Sequence, residues 1–186
     1  LSRSILMRVV VQRVSHASVS VARSVVVQIE GGMLVFVGIG PDDTDKEITQ
    51  MVDKLVGLRI FSDDQGKMNR SLLDNKGEML VVSQFTLWGN CRKGRRPSFV
   101  DAAPPEIAEP LYEQFTIEAA KHGIRVAAGL FGADMQVTIV NDGPVTLVLE
   151  FWYFNRISGG SIPSYAHLPS SISQNLCSAE HVHTRA

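Results

Sequence analysis

The sequence predicts an α+β domain of stacked β-sheets with two helices packed on one side. Three observations lead to this fold class. Short apolar or alternating runs, typical of strands, fill most of the first 150 or so residues. Two amphipathic stretches with apolar residues at three- and four-residue spacing stand between groups of these runs. The chain of 186 residues is 45% hydrophobic, which is enough to bury a core in one domain.

The first half of the chain predicts three strands and a helix. Met-Arg-Val-Val-Val-Gln-Arg-Val, from Met7, predicts the first strand. Alternation over residues 17–21 and an apolar run over 33–38 predict two more, with Glu30-Gly31-Gly32 as a turn. Apolar residues at helical spacing predict a helix over 43–59.

The second half predicts a long central strand, a second helix and three short strands. The strand covers residues 78–87. The helix begins at Pro104-Pro105, has Ile107 and Phe115 on its apolar face and ends before Gly123. The short strands cover 124–128, 135–140 and 145–149, with residues 141–144 as a turn between the last two.

Composition divides the chain into three segments. Residues 1–6 are expected to be an N-terminal extension or a cloning remnant, and residues 7–151 form the predicted domain. Residues 152–186 contain Ser, Pro and His without any apolar period, which predicts a flexible tail.

Charge and cysteine content limit the classes of function. The 18 basic and 19 acidic residues give a net charge of −1, so a polyanion would have to contact a local patch. The two cysteines form no C-x-x-C motif, which favours neither a disulfide framework nor a structural metal site. The N-terminal apolar run is too short and too charged for a signal peptide or a membrane span, so we expect a cytoplasmic protein without membrane contact.

Ser83-Gln-Phe-Thr-Leu87 is the first motif with possible chemistry. In a strand, Gln84 and Thr86 point to the same face. A strand with one polar face is the ordinary explanation. The functional alternative is a cradle for an ester carbonyl, in which these side chains and nearby backbone amides donate to a developing oxyanion.

Asn141-Asp-Gly-Pro-Val-Thr146 is the second motif. Gly and Pro between two β runs ordinarily form a turn. The functional alternative is a cis bond between Gly143 and Pro144, which would point neighbouring carbonyls in the same direction.

The third motif is a basic loop. Four cations lie within six positions, where a glycine and a proline prevent a regular helix. These cations are Arg92, Lys93, Arg95 and Arg96. They are either ordinary solvated charges or residues that contact nucleic-acid phosphates.

Taken together, these motifs resemble the D-aminoacyl-tRNA deacylase family. Ser83-Gln-Phe-Thr, Arg95-Arg-Pro-Ser-Phe99, Phe131-Gly-Ala-Asp-Met-Gln136 and Asn141-Asp-Gly-Pro-Val-Thr146 are similar to that family in order and spacing. The likeness extends from Met7 to about Glu150.

The resemblance implies a three-layer β/β/α fold with mixed sheets, a homodimer and no metal or cofactor. It implies a carboxylic ester hydrolase that cleaves D-aminoacyl-tRNA, and by extension glycyl-tRNA, at the tRNA 3′ end. By the same resemblance, a catalytic pocket is formed by Ser83, Gln84, Phe85 and Thr86. A cis pair that enters the partner's pocket to exclude L-amino acids is formed by Gly143 and Pro144. Further substrate contacts come from Met135 and from Phe131, which is expected near the terminal adenosine.

The mechanism is constrained by the histidines. A serine-hydrolase scheme needs a base, usually histidine, and none of the five histidines lies in a motif with Ser83 or Thr86. The alternative, which the resemblance also implies, is that the substrate's ribose 2′-hydroxyl orients the attacking water or assists its deprotonation. Two other classes remain open, a non-catalytic nucleic-acid-binding protein and a small-molecule esterase.

Overall fold

The computed structural model describes the backbone of residues 2–155 and the side chains of residues 6–151. The predicted tail lies outside the described residues from residue 156 onward. The described residues form eight strands, two α-helices and one 3₁₀ turn, here named η1. In chain order they are β1 Ser2–Val21, β2 Ser24–Ile29, β3 Gly32–Gly38, α1 Asp45–Gly57, β4 Phe61–Ser62, β5 Met68–Arg70, β6 Glu78–Ser83, η1 Phe85–Trp88, α2 Pro105–Ala120, β7 Val126–Ala128 and β8 Met135–Asn155.

Six of the strands form one mixed sheet. The order is β2-β1-β3-β6-β7, and β8 pairs with β1 along almost its whole length. β1 is antiparallel to its three neighbours, whereas β3, β6 and β7 are parallel. Strands β4 and β5 form a separate hairpin. The predicted α+β class is therefore confirmed.

Two hydrophobic cores lie on the two faces of this sheet. One core joins strand residues such as Val9 and Val35 to helix residues such as Leu55 and Phe115. The other is built from strand residues alone, among them Val19. A core made only of strands requires the sheet to curl onto itself, with β2 lying over β6 and β7. The three layers predicted as β/β/α thus come from one curled sheet and the two helices.

The first strands differ from the prediction. β1 is one strand, where two separate strands were predicted before residue 22, and β2 was not predicted at all. The hairpin between them turns at Ala22 and Arg23, whose φ angles are 48° and 67°. Glycine or asparagine usually marks such a turn, and the sequence has neither there.

Strand β8 also differs from the prediction. Residues 135–140 and 145–149 belong to one strand, and residues 141–144 form no turn between two strands. β1 runs alongside β8 past this point, so the chain continues in the same direction. The pairing of these two strands also reaches beyond residues 7–151, since Ser2 pairs with Asn155.

Both helices form where they were predicted. α1 begins after Thr44, whose side chain forms a capping box with Glu47. In α2 the buried residues are Ala108, Tyr112, Phe115 and Ala119. Ile107 was predicted on this face but is 40% exposed, because it lies in the first turn at the margin of the buried stripe. Neither helix of the described residues has the length and apolar content that crossing a membrane requires.

Asp43 is a buried carboxyl in the turn before α1. Its Oδ2 accepts a 2.7 Å hydrogen bond from the Gly40 amide, while its Oδ1 has no hydrogen-bond partner among the described residues. Burial raises the pKa of Asp43 from 3.8 to about 7, and the nearby charges of Glu47 and Asp42 act in the same direction.

This raised pKa predicts a pH-dependent stability. A group whose pKa is higher in the folded than in the unfolded protein contributes its full stabilisation at a pH below the unfolded pKa. This contribution is lost as the pH rises through the folded pKa. Relative to Asp43→Asn, the wild type should lose up to about 4 kcal/mol of unfolding free energy between pH 4 and pH 8. Urea denaturation at both pH values measures the difference, with Asp101→Asn as the exposed control. A difference that does not change with pH would contradict the expected titration.

Candidate active site

The carboxyl ends of three parallel strands meet at one edge of the sheet. At this edge β3 ends at Gly38, β6 ends at Ser83, and β7 ends just before Gly129. Two backbone hydrogen bonds of 2.8 Å join them, from Gln84 N to Val37 O and from Gly129 N to Val81 O. The structure therefore brings the segment 83–86 and the loop that carries Phe131 to the same edge.

The segment after β6 is a turn, and the predicted strand over residues 78–87 is wrong beyond Ser83. The backbone leaves the strand at Gln84, whose ψ is 76°, and η1 follows. Its turns are closed by Leu87 N to Gln84 O at 3.2 Å and by Gly89 N to Thr86 O at 2.9 Å. The predicted alternation of side chains is therefore lost, although the Gln84 side chain still donates to the Thr86 hydroxyl.

Two backbone amides at the start of η1 are free to bind a ligand. The first N–H groups of a helix have no partner within it. The N–H groups of Phe85 and Thr86 also have no partner elsewhere among the described residues. Both residues are exposed, and the Phe85 ring packs edge-on against Phe99 with centroids 5.2 Å apart. Adjacent amides of exposed residues that lack hydrogen-bond partners are suited to stabilise an oxyanion.

No general base contacts the hydroxyls of this site within the described residues. Among the described residues, the Thr86 hydroxyl has one hydrogen-bond partner, the Gln84 side-chain amide, which donates to it and cannot accept its proton. The two histidines of the described part of the chain are paired elsewhere, His16 with Glu30 at 3.6 Å and His122 with Asp53 at 3.2 Å. This geometry provides no Ser-His or Thr-His pair for a covalent mechanism.

A glycine on β3 allows η1 to pack against the sheet. A Cβ atom on Gly38 would lie 2.9 Å from the Leu87 Cβ and 3.1 Å from the Gln84 carbonyl oxygen. Both contacts are closer than Cβ atoms normally make, and one is with backbone. The position of η1 therefore depends on the missing side chain at Gly38.

Residues 142–145 form a bulge in β8. They lie between Asn141, which pairs with Val14, and Thr146, which pairs with Gln12, so four residues of β8 face one residue of β1. The bond between Gly143 and Pro144 is cis, the form that the resemblance implies. Both residues are exposed.

The Asn141 side chain closes this bulge from within. Its Oδ1 accepts from the Val145 amide at 3.1 Å, and its Nδ2 donates to the Thr146 hydroxyl at 2.9 Å. The same hydroxyl accepts from Gln12 Nε2 at 3.1 Å.

Arg13, opposite the bulge, ties it to the domain. Its Nε donates to the Asp142 carbonyl oxygen at 3.1 Å and forms an ion pair with the Asp142 carboxylate. Its Nη1 donates to Ile60 O at 2.6 Å, and the arginine side chain is only 11% exposed. These contacts fix the position of the Gly143–Pro144 pair relative to the sheet.

Phe131 lies in the loop after β7, and Met135 is the first residue after that loop. Phe131 is partly buried against Tyr112, with ring centroids 5.8 Å apart. The Tyr112 hydroxyl lies 2.9 Å from Val81 O and 3.0 Å from Gly129 O, which ties α2 to this edge, and burial raises the pKa of Tyr112 well above its usual value. Met135 begins β8 and packs on the core formed by strands alone.

The basic loop directly follows η1. Its base is closed by Asn90 and Ser98, which exchange backbone hydrogen bonds of 2.7 and 3.1 Å. The loop is exposed and contains no helix, as predicted. Its four cations form no ion pair within the described residues, which leaves them available to phosphates; they are Arg92, Lys93, Arg95 and Arg96.

Sequence reasoning missed the residues that hold the site in place. Gln12 and Arg13 are polar residues in a strand that is otherwise rich in valine, and this contrast was an available signal. Gly38 had no such signal, because its role depends on which segment crosses it.

A cleft of about 440 Å³ lies away from this site. It opens between β2 and the region of β7 and contains none of the predicted site residues. The exposed edge that carries η1 is therefore the better candidate, since predicted site residues and free donors meet there.

Comparisons with known proteins show which family this chain resembles. The sequence model of the family described as "D-Tyr-tRNA(Tyr) deacylase" matches residues 10–150. The chain is 60% identical over 145 residues to a D-aminoacyl-tRNA deacylase of Petrotoga mobilis and 57% identical over 144 residues to one of Brevibacillus brevis. These alignments cover 77% of this chain and 97% and 99% of the relatives.

Two solved structures share the fold. One is named "c-Myc DNA Unwinding Element Binding Protein", with a TM-score of 0.73 and 44% identity, covering 77% of this chain and 98% of that one. The other is titled "Structural Analysis of a probable eukaryotic D-amino acid tRNA deacylase", with a TM-score of 0.70 and 20% identity, covering 78% and 99%.

Proposed function

The chain belongs to the D-Tyr-tRNA(Tyr) deacylase family and is a D-aminoacyl-tRNA deacylase, and from this premise we propose how its site works. It cleaves the ester of D-aminoacyl-tRNA, and of glycyl-tRNA, to free amino acid and tRNA. It works as a homodimer in the cytoplasm, where aminoacyl-tRNA is made and used, and it rejects L-aminoacyl-tRNA.

The single observation that carries this proposal is the pair of amides at Phe85 and Thr86, which have neither a hydrogen-bond partner nor a neighbouring base in the part of the chain that the structure describes. The amides stabilise the oxyanion that forms when water attacks the ester carbonyl. The 2′-hydroxyl of the terminal ribose, next to the ester, orients or activates that water. Gln84 holds Thr86, and Phe131 offers an aromatic face to the terminal adenine.

The dimer supplies the second half of each site. Pro144 and Glu150 lie on the same strand, and at about 3.3 Å per residue they are roughly 20 Å apart. Glu150 is close to η1 through Arg8, so Gly143–Pro144 is too distant to act on the η1 of its own chain. It enters the pocket of the partner instead. The exposed Val140 and Val148, 50% and 56% exposed, flank the bulge and supply apolar contact area.

The fixed carbonyls of Gly143 and Pro144 screen the chirality of the substrate. They accept hydrogen bonds from the ammonium group of the amino acid and fill the space that an L side chain would need. D side chains point away from this obstacle, and glycine has no side chain to exclude.

Deacylation assays with three substrates test the proposal. The ester should be cleaved when the tRNA carries a D-amino acid or glycine. It should stay intact when the same tRNA carries the L enantiomer. Turnover of the L form at a comparable rate would overturn the chiral screen. Efficient turnover of simple D-amino esters would favour the small-molecule esterase. If none of the three aminoacyl-tRNAs were cleaved, the non-catalytic nucleic-acid-binding protein would be favoured.

The basic loop is proposed to contact tRNA phosphates. The double variant Arg95→Ala/Arg96→Ala should weaken tRNA binding and reduce the slope of log K against log salt by roughly one to two, since each lost phosphate contact removes about 0.7–0.9. Binding titrations at several salt concentrations measure the slope. The control, Arg70→Ala/Arg125→Ala, removes the same charge from other surfaces. If the two double variants had equal salt slopes, the basic loop would make no specific contact with tRNA phosphates.

A further inference from the structure

Arg8 lies on β1 between two strands that carry different parts of the site. Its direct partners in the sheet are Gly38 on β3 and Glu150 on β8. Directly paired residues of antiparallel strands point to the same face of a sheet. The Arg8 side chain is therefore on the same face as the bare backbone of Gly38, over which η1 packs.

The guanidinium group of Arg8 makes three contacts with these neighbours. Its Nη1 donates to the Leu87 carbonyl oxygen at 2.9 Å, and its Cζ lies 4.7 Å from the centroid of the Trp88 ring. Its Nε is 3.1 Å from Oε1 of Glu150. Because the Nε–H is not directed at a hydrogen-bond acceptor among the described residues, this last contact is an ion pair.

These contacts hold η1 at the end opposite its free amides. The last carbonyls of a helix lack partners within it, and a cation at that end is favourable. The aromatic ring of Trp88 is buried, and its face attracts the same cation. Arg8 and Glu150 are themselves only 24% and 29% exposed, so solvent screens their attraction less than it would at an open surface.

We propose that Arg8 is a positioning residue for deacylation. It touches no reacting atom. Through Leu87 and Trp88 it fixes the direction of the Phe85 and Thr86 amides, and Glu150 holds its guanidinium in place. This role rests on the proposed function of the segment 83–86, and it connects the turn that stabilises the oxyanion to β8, the strand from which Gly143 and Pro144 protrude.

Variants at both ends of this contact test the role. Arg8→Met should lower kcat for D-aminoacyl-tRNA by about tenfold or more, because misplacing a catalytic group by about 1 Å can cost a hundredfold. KM should change little, since the tRNA contacts are elsewhere. Arg8→Lys should recover part of kcat, because an ammonium can bond to Leu87 O but lacks the planar group that lies over Trp88. Glu150→Gln should have a smaller effect in the same direction.

A second measurement is independent of activity. Amide hydrogen exchange of Leu87 and Gly89, whose N–H groups close η1, should be faster in Arg8→Met than in the wild type. The matched control is Arg125→Met, which breaks a 2.7 Å ion pair with Glu78 at the opposite end of β6 and should leave both kcat and the exchange of η1 unchanged. If Arg8→Met does not fold, Arg8→Lys and Glu150→Gln are compared with the same control.

The outcomes separate this inference from the proposed function. Faster exchange in η1 together with a fall in kcat and partial recovery by lysine would support it. Unchanged exchange would overturn it, because Arg8 would then not hold the turn. Faster exchange with unchanged kcat would also overturn it, because deacylation would then not depend on the hold that Arg8 has on η1. A wild type that does not cleave D-aminoacyl-tRNA in the same assay would refute the proposed function itself.

Discussion

A D-aminoacyl-tRNA that ends in 2′-deoxyadenosine should be cleaved at least about a hundredfold more slowly than the normal substrate, because a positioned proton-transfer group contributes about 10²–10⁴ in rate. The expectation follows from the absence of a base beside Ser83 and Thr86 within the described residues. Single-turnover deacylation of both substrates, each corrected for its own spontaneous hydrolysis, gives the ratio.

The matching enzyme variants should lose far less activity. Thr86→Val keeps the shape of the side chain and removes the hydroxyl that accepts from Gln84. We expect a loss of about fivefold, the value of one ordinary hydrogen bond, and Ser83→Ala should behave similarly. If Thr86→Val were as inactive as a covalent-catalysis knockout while the deoxy substrate turned over normally, Thr86 would be the nucleophile and the ribose mechanism would be wrong.

Gly143→Ala should reduce the preference for D- over L-aminoacyl-tRNA, measured as the ratio of the two kcat/KM values, by at least about a hundredfold, the effect of misplacing a site group by about 1 Å. The φ angle of Gly143 is +124°, which L side chains rarely adopt. An added Cβ would lie 2.8 Å from the Val145 Cγ2 and 2.9 Å from Arg13 Nη2. Either the carbonyls that screen the substrate or the arginine that holds them must move.

Gly66→Ala is the matched control for this substitution. Gly66 also has a positive φ, +77°, but an added Cβ there would meet nothing within 4 Å. The variant should lose a little stability and keep the D-to-L ratio. An unchanged ratio in Gly143→Ala, with normal folding, would leave residues 142–145 as a structural bulge and remove the chiral screen from them.

Local sequence patterns predicted most of the secondary structure and the class of the fold. Apolar spacing in α1 and α2 and the β-rich runs around them depend on neighbours within a few residues, so they can be detected in the sequence alone. The segment that became η1 was assigned to a strand because Phe85, Thr86 and Leu87 have ordinary strand propensities. The turn there is made possible by Gly38, a distant residue whose missing side chain leaves room for Leu87.

Local sequence patterns also could not predict the geometry around Gly143. Gly-Pro between two β runs normally predicts a turn. Here β1 continues alongside, so the extra residues are expelled as a bulge and Arg13, about 130 residues earlier, binds them. Contacts of Arg8, Gln12 and Arg13 across such separations depend on the register of strand pairs, which single-sequence patterns do not define.

The pairing of β1 with β8 also governs when the molecule can fold. β1 supplies a strand to the middle of the sheet, yet its longest partner is the last strand described, and Ser2 is hydrogen-bonded beside Asn155. A high average sequence separation between contacting residues slows folding. During synthesis at about 5–20 residues per second, the ribosome must add more than a hundred residues after β1 before β8 exists. For several seconds the valine-rich edge of β1 is open to other chains, and this nascent intermediate is the stage at which aggregation competes most directly with folding.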